Sequence, residues 1–256
     1  ISTVIEDYTR EAGVRQLERV LAKVVRKAAV EMLDKDTKQV TVGLDKLRSY
    51  LGAARYTREA LDSVDRIGVV NGLAYTSVGG ELLPVECAIM EGTGALQLTG
   101  SLGDVMQESA KAALSWVRAH AAAWGVEAEF FRKHDIHIHV PEGAVPKDGP
   151  SAGVTLTTAL TSSLLEIPVR QCVAMTGEVT LRGRVLPIGG LKEKLMAAYR
   201  AGIKQVLIPR ENMKDLEDVA QVVLDKLEII PADDVEQVLQ IALADELPKA
   251  EVRHGD

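Results

Sequence analysis

The feature that most constrains this chain is a change of hydrophobic period near Arg66. Before it, apolar residues recur at helical spacing: Val14, Leu17, Val20, Leu21, Val24 and Val25 form one stripe of a long amphipathic helix. Thr3 and Glu6 have capping-box spacing ahead of a first helix, Gly13 is a natural stop, and "TVGLDKLRSYLG" predicts a short strand or turn and a last helix closed by Gly52. Residues 1–52 therefore read as a small all-helical subdomain, and the charged, aperiodic stretch 53–65 as a linker. From residue 66 to 247 strand-like runs alternate with helical ones. "IGVVNGLAYTSVGGELLPVECAIM" predicts a hairpin at Gly79-Gly80, and the loop "IMEGTGALQLTGSLG" a flexible Gly-rich hairpin containing the short strand "ALQLTG". A helix capped by Ser101 and lined by Val105, Met106, Ala110, Ala113 and Val117 follows. "DIHIHV" is a period-two strand, and the run from Ser151 to Glu166 a helix despite its threonines. "CVAMTGEVTLRGRVLPIGG" carries strand signals around Gly177 and Gly183. Beyond it come a helix from Leu191, strand "QVLIP", a helix from Glu211, strand "LEIIPA" and a helix from Asp233. The polar tail, 248–256, is expected to be disordered. The fold class is thus α/β (α+β), preceded by a helical subdomain.

Composition narrows the functional classes. Aromatics are only 4% of the 256 residues, so the core must be aliphatic. The net charge of -7 argues against nucleic acid as the main partner, since phosphate binding needs a clear basic surface. No apolar run approaches the roughly 18 residues of a membrane span, and no signal peptide is present. Cys87 and Cys172 sit in apolar runs without a CxxC, which predicts two buried free thiols in a reducing compartment. The chain begins at Ile1 within a helical pattern, as a fragment of a longer protein would.

Chemistry concentrates in "PKDGPSAG". A tight turn at Gly149-Pro150 delivers Ser151 to a helix start, beside unpaired N–H groups and the positive end of the helix dipole. Such donors can hold the oxyanion that forms when a carbonyl is attacked. Ser151, Ala152 or a neighbouring loop must supply them, since Pro150 has no N–H. The plain alternative is that Ser151 is an N-cap.

A serine hydroxyl needs a base. His137 and His139 share one face of "DIHIHV" and are candidates for a triad, for structural hydrogen bonding, or for a metal pair lacking a third ligand. His120, His134 and His254 read as surface residues. The other candidate is a lysine. "PIGGLKEKLMAA" places Lys192 and Lys194 in the first turn of a helix, where the dipole disfavours cations. Lys194 is in phase with Leu191, Leu195 and Ala198 on the apolar face; Lys192 and Glu193 point elsewhere. To act near neutral pH such a lysine must lose roughly three pKa units, about 4 kcal/mol, which burial can supply. The alternative is a snorkelling surface lysine.

"PEGAVPKDGPSAG" followed by "TGEVTLRGRVLPIGGLKEKLMAA" closely resembles the peptidase domain of the Lon protease family, of the type that carries an AAA+ ATPase in the same chain. Both motifs occur in order and at the family's spacing. The resemblance implies that Ser151 is the nucleophile and Lys194, not Lys192, the general base. It implies that Thr176 positions the lysine, that Asp148 switches the site between active and inactive forms, and that His137 and His139 support the site without acting as base. "YTREAGVRQLER" resembles the helical subdomain closing a Lon ATPase module, with Arg15 as the arginine that senses nucleotide. The loop around Gly92 would lie near the substrate groove, and Tyr75 and Glu86 near subunit contacts. No GxxxxGK[ST] occurs, so the phosphate loop is missing.

The resemblance implies a Ser-Lys endopeptidase cutting unfolded polypeptide, needing no cofactor for the cut. ATP and Mg²⁺ would serve only the full-length protein. It also implies a homohexameric ring in the cytoplasm of a bacterium or in an organelle of bacterial descent, with neither membrane nor nucleic acid as partner of this part. Lon-like domains also occur as non-proteolytic ring scaffolds; those typically lack the intact serine/lysine pair, which this chain keeps.

Overall fold

A computed structural model of the chain describes residues 1–11, 13–56, 64–76, 79–141 and 146–248. It divides into two compact units, residues 1–60 with 77–79, and residues 61–76 with 80–256. Part of the expected linker (57–63) and all of the expected tail but Pro248 lie outside the described residues.

The first unit holds α1 (Ser2–Tyr8), α2 (Arg15–Asp34) and α3 (Leu44–Leu51). Val4, Tyr8 and Leu47 are buried, and Leu17, Val20, Leu21 and Val24 of α2 pack against them. Val14 and Val25 do not join this stripe; both are exposed. Thr3 and Glu6 lie inside α1 rather than forming a cap, and α1 ends at Tyr8, before Gly13. Gly52 closes α3 in the left-handed region, and the Tyr8 hydroxyl donates to its carbonyl at 2.9 Å. Glu31 accepts from Lys46, Tyr50 and Lys35, which hold its carboxyl down at about 2.

The second unit is built on one seven-stranded sheet, in which β1 (Val69–Thr76) and β2 (Gly79–Glu91) are neighbours. The chain continues through β3 (Leu96–Thr99), α4 (Asp104–His120), a 3-10 turn at Ala121–Trp124, α5 (Phe130–Lys133) and β4 (His134–His139). A 3-10 turn at Pro150–Ala152 runs into α6 (Gly153–Leu165), followed by β5 (Val173–Met175) and the hairpin β6 (Glu178–Val179) and β7 (Val185–Leu186). The rest is α7 (Leu191–Ala201), β8 (Gln205–Pro209), a 3-10 stretch Arg210–Asp218, α8 (Gln221–Leu224), β9 (Glu228–Ala232) and α9 (Val235–Ala242). The strand order is β3-β4-β2-β1-β5-β8-β9, and β1, β5, β8 and β9 run parallel.

Period-two alternation distributes the parallel strands between two cores. Val173, Met175 and Leu207 join one core with α4, α6 and α9; Ala174, Val206 and Ile208 join the other with α7 and α8. The sheet is thus the middle of three layers. Helix α6 is buried from Gly153 through Ser162, where the Thr155 and Thr161 hydroxyls have no hydrogen-bond partner among the described residues and the other two threonine hydroxyls bond within the helix. Thr157 and Thr158 do so by donating to the carbonyls four residues back, each at 2.8 Å.

Several sequence expectations give way to tertiary structure. β2 and β3 do not form a hairpin, because β4 inserts between them. The turn joining them is instead tied to β4: Asp135 accepts from Thr93 and Ala95, each at 2.8 Å. Those backbone donors lower its carboxyl pKa, Ala95 first. Ser101 does not cap α4; the N-cap is Gly103, and Val105 is exposed. The segment from Glu211 is a 3-10 stretch, and α9 is capped by Asp234, which accepts from Gln237 N. Cys87 is buried, and burial pushes its thiol up to about 11; Cys172, in the turn before β5, is exposed. His120 and His134 are half-buried. Each donates Nδ1–H to the carbonyl four residues back and stacks on an aromatic ring, Trp116 and Phe130 respectively.

Candidate active site

The site lies beyond the carboxyl end of β5, where α6 arrives from one layer and α7 from the other. Open parallel sheets commonly bind ligands outside the carboxyl ends of their strands.

The serine comes from the turn ahead of α6. Gly149 takes φ +119, a conformation that excludes most side chains, and Pro150 starts the 3-10 turn. Ser151 is half-buried within that turn, at the positive end of α6. Its carbonyl accepts from Gly177 N at 2.8 Å and from the Thr176 hydroxyl at 3.2 Å, and Val154 N donates to Gly177 O at 3.1 Å. Two glycines make this approach possible. A Cβ on Gly153 would lie 2.6 Å from Val179 N, and one on Gly177 would lie 2.7 Å from a Val185 methyl.

The lysine comes from α7. Gly190 caps that helix with φ +69, and Lys194 stands in its first turn, 2% exposed. Leu191, Leu195 and Ala198 are buried beside it, whereas Lys192 is exposed. Among the described residues no carboxylate pairs with Lys194, and its ammonium has one hydrogen-bond partner, Thr176 Oγ1 at 3.1 Å. Burial without a counter-charge brings its pKa from the ordinary 10.5 down to about 8.

Thr176 joins the two. It follows β5, is 1% exposed, and is anchored by its N–H on Leu207 O at 3.1 Å. Its hydroxyl proton goes to the Ser151 carbonyl, leaving its lone pairs to face Lys194. A continuous chain of bonds therefore runs from the lysine through the threonine to the serine backbone.

Asp148 has a different partner. Its Oδ1 accepts from Met106 N at 3.0 Å and from Gly149 N at 2.9 Å. Met106 is the third residue of α4, so Asp148 caps that helix from another part of the chain, the task expected of Ser101. Gly103 N donates to Lys147 O at 2.8 Å, and Lys147 N to Ser101 O at 3.0 Å. The serine turn is thus stitched to the α4 start, a link across 42 positions that local spacing does not signal.

His137 and His139 remain on β4, where both bond Thr99 Oγ1, at 2.9 and 2.7 Å. A hydroxyl has one proton, so at most one of the two rings accepts from it and at least one donates to it. Neither ring is hydrogen-bonded to Ser151 or Lys194 among the described residues. Arg15 opens α2 in the helical unit and is exposed. Tyr75, Glu86 and Gly92 are exposed as well.

Residues 41–245 match the Lon protease (S16) C-terminal proteolytic domain, and residues 1–41 match the Lon protease AAA+ ATPase lid domain. The chain belongs to the Lon protease family. It is 56% identical over 241 residues to the Lon protease of Vibrio parahaemolyticus, covering 94% of this chain and 31% of that protein. It is 55% identical over 244 residues to the Lon protease of Escherichia coli K12, covering 95% of this chain and 31% of that protein. For the Lon protease of Clostridium acetobutylicum the identity is 52% over 240 residues, covering 94% and 31%. The chain thus spans about a third of the length of the curated Lon relatives it matches. The Lon lid match stops at residue 41, whereas α3, at Leu44–Leu51, buries Leu47 in the core of the helical unit.

Proposed function

We propose that this chain is the peptide-cutting part of a Lon protease, with Ser151 as nucleophile and Lys194 as general base. The observation that carries this reading is Lys194 itself: a buried lysine with no acid partner among the described residues, bonded to a threonine that bonds the serine carbonyl. Such an amine has a substantial neutral fraction near pH 8 and a free lone pair to take a proton.

The steps follow from the arrangement. Neutral Lys194 takes the Ser151 hydroxyl proton as Oγ attacks the scissile carbonyl. Backbone N–H groups at the α6 start, those of Ser151 and Ala152, hold the oxyanion. The lysine ammonium then gives its proton to the leaving amine, and an acyl-enzyme remains. Water, deprotonated by the same lysine, releases the acid and restores the serine. Thr176 keeps the lysine in place, Gly149 shapes the turn, Asp148 holds the serine turn on α4, and His137 and His139 brace β3 against β4. The cut itself needs no cofactor.

The substrate is unfolded polypeptide, because Ser151 acts on a backbone carbonyl that a folded protein keeps within its own structure. In the full-length protein ATP and Mg²⁺ drive unfolding, Arg15 senses the nucleotide, and the subunits form a hexameric ring in a bacterial-type cytoplasm. Among the described residues no helix is long and apolar enough to cross a membrane. The helical subdomain is taken as 1–52 and the peptidase as 66–247. The test is a peptide boronate, read by intact mass and by a fluorogenic peptide assay. A boronate adduct on the parent chain, absent from Ser151→Ala along with all cleavage, is expected; an adduct or residual cleavage in Ser151→Ala removes it as nucleophile.

A further inference from the structure

The first turn of α7 is braced on two sides by the β1–β2 pair. Tyr75 lays its ring against Gly190, where a Cβ would come within 2.9 Å of Tyr75 Cγ. Gly80 backs onto the helix: a Cβ there would lie 2.0 Å from the Glu193 carbonyl oxygen, 2.4 Å from its carbon and 3.0 Å from Lys194 N. These are backbone atoms of a hydrogen-bonded helix, in which Lys194 N donates to Gly190 O at 3.0 Å, so they cannot swing aside. Gly80 does not itself adopt a left-handed φ, so the contact alone, not backbone conformation, forbids a side chain there.

We infer that Gly80 is a positioning residue for the proteolytic reaction: its missing side chain lets β2 press on the 193–194 peptide and so sets where Lys194 stands relative to Thr176 and Ser151. The inference rests on the assignment of Lys194 as base. Ordinary contact begins at roughly 3.5 Å. A methyl at Gly80 therefore moves the first turn of α7 by about an ångström, and Lys194 moves with it. A misplacement of that size costs about 100-fold in rate. It also opens the lysine to water, which restores part of its solvation.

The test compares Gly80→Ala with Gly189→Ala. Gly189 is the control because a Cβ there meets nothing within 4 Å and its φ is not left-handed. With a fluorogenic peptide, Gly80→Ala should lose about 100-fold in kcat while KM stays within about threefold. The rising limb of its pH–rate profile should move to higher pH. Gly189→Ala should match the parent. A folded Gly80→Ala with parental kcat and an unmoved limb overturns the inference. If Gly80→Ala does not fold, Tyr75→Ala takes its place, removing the other brace without inserting an atom. It should lose about tenfold in kcat with the same alkaline displacement, and parental values overturn the inference. Lys194→Ala run in parallel separates the two readings: if it stays active the base assignment fails, and if it is dead beside an active Gly80→Ala only the positioning role fails.

Discussion

Replacing Lys194 by methionine should abolish cleavage and at the same time stabilise the fold. Burial lowers the lysine pKa from 10.5 to about 8, and no carboxylate among the described residues offsets the buried charge. The shift corresponds to about 3 kcal/mol of strain on the ammonium form. Between pH 8 and 10.5 the unfolded chain holds the proton and the folded chain does not, so stability rises with pH across that window. Below pH 8 both states are protonated and the folded state bears the full penalty. Methionine fills similar volume without the charge. It forfeits the bond to Thr176, worth about 1 kcal/mol, leaving a net gain of about 2 kcal/mol at pH 7. That predicts a transition for this unit about 4–8 °C higher, by calorimetry. The parent's kcat/KM should rise about tenfold per pH unit below 8 and level off above 9, following the neutral amine. At pH 7 about a tenth of the lysine is neutral, against under about 0.1% for an ordinary lysine. A Lys194→Met variant less stable than the parent at pH 7, or a flat profile from pH 6.5 to 9, would refute the argument.

Lys192→Ala should keep parental peptidase activity within about threefold while Lys194→Ala loses it, and the Ser151→Ala/Lys194→Ala double variant should be no worse than either single one, since both groups serve one proton transfer. Thr176→Val removes the hydroxyl between Lys194 and the Ser151 carbonyl; kcat should fall by about 10- to 100-fold, with about 1 kcal/mol of stability lost in urea titration. Asp148→Ala deletes the acceptor for Met106 N, and about 1 kcal/mol should go with it. Asp148→Asn, which keeps an acceptor oxygen, should lose less in the same titration.

The main lines of the site are legible in the sequence because its two principal residues obey local rules. Lys194 follows the 3.6-residue period of Leu191, Leu195 and Ala198, and burial follows the period. Ser151 follows a Gly-Pro turn, and a helix starts just beyond it, though through a 3-10 turn rather than at the serine. What escaped detection depends on contacts between distant segments. Asp148 takes the capping role from Ser101 only because the chain returns to the start of α4. The strand at Leu96–Thr99 looks like the partner of β2 until β4 inserts between them, and the intruding strand carries the histidines that tie it to Thr99. Val14, Val25 and Val105 fit an apolar stripe by spacing yet lie on its margin, where a neighbour decides burial.

The same distinction explains where this fold bears its costs. The features that oppose stability gather at one end of the sheet: a buried lysine with no carboxylate partner among the described residues, left-handed glycines at 149 and 190, close backbone approaches at Gly80 and Gly153, and a close methyl approach at Gly177. Elsewhere in the unit the parallel strands are covered on both faces by aliphatic side chains. Such local conflicts persist only when the surrounding structure over-determines them. Three layers meet at this end, so the serine turn, the strand end and the lysine helix each enter from a separately packed element. None can relax without disturbing its own layer. A lysine at the start of a helix would otherwise turn outward to water, toward which the dipole also urges it. The packing of Leu191, Leu195 and Ala198 against the sheet holds it inward instead, where burial lowers its pKa to about 8.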